Sequence, residues 1–130
     1  MGNPGGNPGP GIPRVLLIED DASVRDAIVA SLEELGARDV SVADDGEAGL
    51  AMIQSLRPAV VLLDLMLPVA DGFDVLAELR KLPAAARPGR VVVISAMSDA
   101  LSAGALLQLG ADRVLAKPFT LTEFEAAITG

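Results

Sequence analysis

Four short apolar runs along the chain each end in a residue that carries chemistry. Val15–Ile18 precedes Glu19, Asp20 and Asp21; Ala59–Leu63 precedes Asp64; Val91–Ile94 precedes Ser95; Val114–Ala116 precedes Lys117 and Pro118. Runs this apolar and this rich in β-branched residues read as strands buried on both faces, as in a parallel sheet. Strands are predicted near 14–19, 39–43, 59–64, 90–95 and 112–116. Between them the period changes to that of helices. A first helix covers about 22–35, with Val24, Ile28, Leu32 and Leu35 on one stripe and Gly36 suited to the position past its end. Asp21 suits its N-cap. Further helices cover about 46–56, ending before Pro58, about 72–81, ending before Pro83, and about 99–109, stopping at Gly110. The last begins at Thr120, where Thr120 and Glu123 match a capping box.

Five βα units of this length, joined by right-handed crossovers, give an α/β doubly wound sheet. The flavodoxin-like strand order 2-1-3-4-5 is the natural arrangement, and it makes strands 1 and 3 neighbours. Ligands bind such sheets at the carboxyl ends of the strands, so the acids, the hydroxyl and the ammonium are expected to converge at one edge.

Residues 1–13 contain a near-repeat, Gly2 to Gly5 then Gly6 to Gly9, with no charge, and read as a Gly/Pro-rich tail or linker outside the fold. The remainder, 14–130, has room for one domain. No apolar stretch approaches the roughly 20 residues of a membrane span, and no insertion into a membrane is expected. With 18 acidic and 10 basic residues the net charge is −8. That balance lacks the basic footprint of nucleic-acid binding, so no direct contact with nucleic acid is expected. Without cysteine or signal-peptide features, the cytoplasm is the default location. The chain also has no histidine. Any metal held here should therefore be a hard, oxygen-loving cation such as Mg²⁺, with Mn²⁺ as a substitute.

Glu19, Asp20 and Asp64 would repel one another unless a cation neutralised them. Two or three acids and a backbone carbonyl are enough for Mg²⁺, which keeps several waters. Asp64 has a second potential role, because a carboxylate can attack phosphorus and form an aspartyl-phosphate. Phosphoryl transfer needs mainly positioning and neutralisation of the equatorial oxygens. The cation would take one oxygen, Lys117 another, and Ser95 with the Ala96 backbone N–H the third. Only two lysines exist in the chain, and one stands at this strand end.

These segments, together with Leu62–Pro68, Asp71-Gly72, Val92–Ala96 and Gly110–Asp112 leading to Lys117-Pro118-Phe119, resemble the receiver domain of bacterial two-component response regulators. The likeness runs from residue 14 to about 128. It implies a phosphoacceptor at Asp64, and Mg²⁺ held by Glu19, Asp20, Asp64 and the Met66 carbonyl. It also implies Ser95 as a hydroxyl switch and Lys117 as a phosphate contact. The donor would be a phosphohistidine on a histidine kinase or histidine phosphotransfer protein. The domain would catalyse its own loading and slow unloading, and would not otherwise be an enzyme.

Three positions depart from the family pattern. Receivers commonly carry an aromatic residue three before the lysine; here it is Val114, so switching must proceed by rearrangement around Ser95. Met66 and Met97 occupy the positions that flank hydrolytic water in the family, and thioethers there should slow loss of the phosphoryl group. The helix from Ala100 to Gly110 has no charge, so a face with Leu101, Ala105, Leu106 and Val114 is expected to dock a partner, or a second copy in a phosphorylation-dependent homodimer.

Two other classes fit less well. A phosphatase resembling haloacid dehalogenases wants a second acid where Met66 stands, and a flavodoxin wants rings to stack on flavin, yet the chain has no Trp or Tyr. The chain ends as its last helix should finish, and the Gly/Pro tail suits the C-terminal receiver of a hybrid histidine kinase. A free-standing single-domain regulator and a piece of a larger regulator are the other expectations.

Overall fold

The computed structural model describes residues 12–65, 67, 71–96 and 103–130. Five parallel strands, β1 (Val15–Ile18), β2 (Val40–Ala43), β3 (Val60–Asp64), β4 (Arg90–Ala96) and β5 (Arg113–Lys117), form one sheet in the order β2-β1-β3-β4-β5. They alternate with α1 (Ala22–Glu34), α2 (Gly46–Leu56), α3 (Gly72–Lys81), α4 (Ala103–Gln108) and α5 (Leu121–Thr129). The expected fold class and strand order are what the structure has. The strand ends agree with the predicted spans to within a residue. The fourth helix is described over 103–108 only; the earlier part of its expected range, and Leu101 with it, lies outside the described residues.

The alternation of strand side chains divides the core into two layers. Leu16, Ile18, Val61, Leu63, Val91 and Val93 face Ile53 of α2, Val75, Leu76 and Leu79 of α3, and Leu106 of α4. Val15, Leu17, Val60, Leu62, Val92 and Ile94 face Ile28 and Leu32 of α1, and Phe124, Ala127 and Ile128 of α5. Both faces of the sheet are therefore covered, which is why the strands could be apolar without interruption. Phe124 is fully buried, with its ring 5.4 Å from that of Phe119. Phe124→Ala should cost about 3–5 kcal/mol by leaving a cavity under β4 and β5. Urea unfolding measures this, and a loss below about 1 kcal/mol would show that the layer repacks around the missing ring.

Helix ends follow the local chemistry. Asp21 caps α1 by accepting the Val24 N–H at 3.0 Å, and Gly36 past its C-terminus takes φ 93°, a conformation other residues adopt at a cost. Thr120 and Glu123 form the expected capping box on α5. A second box, Asp71 with Asp74, starts α3. Among the described residues no helix is long and apolar enough to cross a membrane.

Candidate functional site

The parallel register brings the polar strand ends to one edge of the sheet. Glu19 follows β1 directly, and its N–H stays on the ladder, donating to the Ala43 carbonyl at 3.0 Å. Asp64 closes the neighbouring β3 opposite Ile94, Ser95 follows on β4, and Lys117 closes β5 opposite Ala96. Burial separates these groups by role. Among the described residues, Glu19, Asp64 and Ser95 are the buried polar ones, at 1%, 7% and 6% exposure, whereas Asp20 is exposed.

Oxygen atoms of Glu19, Asp20 and Asp64 all lie within 4.8 Å of one another. The Lys117 ammonium stands 3.8 Å from both Glu19 Oε1 and Asp64 Oδ1, so one cation is shared between two acids. Ser95 Oγ donates a long hydrogen bond of 3.3 Å to the Ala96 carbonyl. Burial above all, then the facing carboxyl and charge of Asp64, push the Glu19 carboxyl from its ordinary 4.5 up to about 7. The Asp21 N–H, 3.2 Å from Glu19 Oε2, and the Lys117 charge oppose this only in part.

Three carboxylates against one ammonium leave the cluster negative, and buried Glu19 Oε1 has no hydrogen-bond partner among the described residues. An oxygen-only donor set with an unsatisfied buried oxygen fits a hard divalent cation such as Mg²⁺ or Mn²⁺. Glu19, Asp20 and Asp64 are the side chains that could hold it. Met66, expected to add a carbonyl, and Met97 lie outside the described residues.

The structure thus assembles Glu19, Asp20, Asp64 and Lys117 and places Ser95 and Ala96 on the adjacent strand end. The proposed partner face needs correcting. Leu106 is 1% exposed and belongs to the core under α4, and Val114 packs half-buried against the same layer. Ala105 is half-buried, and the large exposed apolar side chain of α4 is Leu107, at 47%. An uncharged helix has no polar stripe to mark its outer side, so its sequence could not tell these residues apart. Sequence reasoning also missed a shallow groove of about 440 Å³ between α1 and the loop after β5. Ser23, Val24, Ala27 and Ile28 line one side, and Lys117 and Phe119 the other. Its walls are far apart in the chain and carry no shared pattern.

Comparison with known proteins gives this edge its context. The family model described as the response regulator receiver domain matches residues 15–129. A "Probable transcriptional regulator ycf27" of Porphyridium aerugineum is 38% identical over 115 residues, covering 88% of this chain and 46% of that protein. The "DNA-binding dual master transcriptional regulator RpaA" of Synechocystis is 37% identical over 117 residues, covering 90% of this chain and 48% of that protein. Among solved structures, the receiver domain of a Francisella response regulator superposes with a TM-score of 0.78 at 32% identity, covering 89% of this chain and 93% of that one. The signal receiver domain of a Vibrio parahaemolyticus protein titled a putative Luxo repressor also gives 0.78, at 28% identity and 89% and 86% coverage.

These relatives overturn the expectation of no direct contact with nucleic acid, because they include regulators named as DNA-binding. The chain spans about half the length of the relatives it matches, and a charge of −8 over that half sets no bound on what a whole regulator touches. The fold, the acidic edge and the match over residues 15–129 lead to one conclusion: this chain belongs to the response-regulator receiver domains of two-component signalling.

Proposed function

We propose that Asp64 is the phosphoacceptor of a signalling switch, loaded from a phosphohistidine on a histidine kinase or histidine phosphotransfer protein. One observation carries the reading: a buried carboxylate at a strand end, next to two further acids and 3.8 Å from an ammonium. A carboxylate oxygen of Asp64 attacks phosphorus; the new O–P bond forms as the P–N bond breaks, and the departing imidazole nitrogen keeps the electron pair and takes a proton from water. A bound divalent cation supplies the charge that offsets the acids and the phosphoryl oxygens. Lys117 binds a second equatorial oxygen, and the Ser95 hydroxyl turns from the Ala96 carbonyl to the third, beside the Ala96 N–H.

That turn is the step that reaches the surface. Ser95 and Ala96 end β4, so a hydroxyl drawn toward the phosphoryl group moves the end of that strand. The outer side of α4 with Leu107, β5 at the sheet edge and α5 form the surface whose partner binding changes. The groove between α1 and Phe119 runs to Lys117 and suits the apolar surface around a donor histidine. In a longer protein the same switch would govern an output such as transcription. The test uses phosphoramidate, whose P–N bond mimics the donor. Intact mass should show one added phosphoryl group that requires Mg²⁺; folded protein that stays unmodified would overturn the reading.

A further inference from the structure

We infer that Gly72 is a positioning residue that sets where the Asp64 carboxylate stands; the inference rests on the phosphoacceptor reading of Asp64. Leu65, the residue after Asp64, is 1% exposed and held on both sides. Its N–H donates to the Ile94 carbonyl at 3.1 Å, and its carbonyl accepts the Gly72 N–H at 2.9 Å. Gly72 opens α3 behind the Asp71–Asp74 capping box, so a rigid helix end is clamped onto the peptide that carries the acceptor.

The clamp leaves no room for a side chain. A Cβ at Gly72 would stand 2.8 Å from Leu65 Cα, 2.9 Å from the Asp64 carbonyl oxygen and 2.9 Å from the Leu65 carbonyl oxygen. All three are backbone atoms, which cannot swing aside as the end of a long side chain would. A methyl group must therefore push α3 outward or push the Asp64–Leu65 peptide back. Pushing the peptide back displaces Asp64 from Lys117, now at 3.8 Å, and from the acids that share its 4.8 Å cluster, and pushing α3 outward breaks the Gly72 N–H bond to the Leu65 carbonyl that holds that peptide in place. Displacements approaching 1 Å at reacting groups cost on the order of 100-fold in rate. The glycine is thus required by the placement of the carboxylate, beyond what the helix needs to start.

Gly72→Ala and Gly36→Ala separate positioning from stability. Gly36 has φ 93°, and a methyl group on its Cα would meet nothing within 4 Å. It lies at the end of α1 away from the acidic edge, so its substitution strains the backbone without touching the site. Both variants should melt at lower temperature than wild type. In Gly72→Ala, the Mg²⁺ dissociation constant from calorimetry should rise at least about tenfold, and loading by acetyl phosphate at saturating Mg²⁺ should slow at least about tenfold. Gly36→Ala should match wild type in both. Folded Gly72→Ala that also matches wild type would overturn the inference, as would equal losses in the two variants. If Gly72→Ala does not fold, amide exchange in the wild-type protein decides. Saturation with Mg²⁺ and beryllium trifluoride should slow the Gly72 amide and leave the Gly36 amide unchanged; an indifferent Gly72 amide overturns the inference. Wild type that binds Mg²⁺ but does not load would instead overturn the phosphoacceptor reading, with the calorimetric comparison still testing the clamp.

Discussion

Asp64→Asn should abolish Mg²⁺-dependent loading by acetyl phosphate, with the rate falling at least about 100-fold. Asparagine keeps the shape of the side chain but offers no anionic oxygen to attack phosphorus. It also removes one of the three negative charges that crowd the edge of the sheet. The fold should therefore survive: the melting temperature without metal should be equal to or above that of wild type, because a like-charge repulsion with Glu19 is relieved. Intact mass over time reads the loading, and circular dichroism reads the fold. An adduct of undiminished size on the variant would move the acceptor elsewhere, with exposed Asp20 the first alternative to test. A small donor is the right probe because the groups proposed to stabilise the transferring phosphoryl, Lys117 and Ser95, belong to this chain.

The second large effect couples pH, Mg²⁺ and stability through Glu19. Its carboxyl is raised in the folded protein from 4.5 to about 7, so between those values the folded state holds a proton that the unfolded state has released. Stability then falls as pH rises through that window, and the penalty persists above it. A cation held in part by Glu19 would reverse the sign, because it needs the Glu19 anion and competes with its proton. At pH 8 a concentration of Mg²⁺ 100 times its dissociation constant should add about 2.7 kcal/mol, a rise in melting temperature on the order of 10 °C. At pH 5 the same Mg²⁺ should raise it far less. Glu19→Gln should flatten the metal-free pH dependence across the window, which separates this residue from the general effect of a chain with net charge −8. Melting curves with and without Mg²⁺ at the two pH values measure all of this. A Mg²⁺ effect of the same size at both would show that Glu19 does not titrate where its burial places it.

Much of the architecture and the site was legible because each depended on local pattern. Unbroken apolar runs such as Val60–Leu63 read as strands covered on both sides, and the doubly wound sheet supplies that cover. Once the strand order is set, residues that follow strands must meet at one edge, so Glu19, Asp20, Asp64 and Lys117 could be grouped from their places after the apolar runs. Caps at Asp21 and Thr120 were equally local.

By itself, then, the sequence determined the order of elements and the edge at which the acids and Lys117 gather. Only the tertiary structure decided how deeply each group is buried, and hence that Glu19 and Asp20, adjacent in the chain, differ so far in exposure. It decided that Leu106 turns inward while Leu107 faces water, since a helix without charged residues has no charged stripe to orient it. It also brought Gly72 onto the backbone of Asp64 and Leu65, a contact between residues whose spacing predicts nothing. The physical reason is the same in each case. Periodicity says which side chains share a face, but burial, proton affinity and close backbone approach depend on what another part of the chain sets against that face.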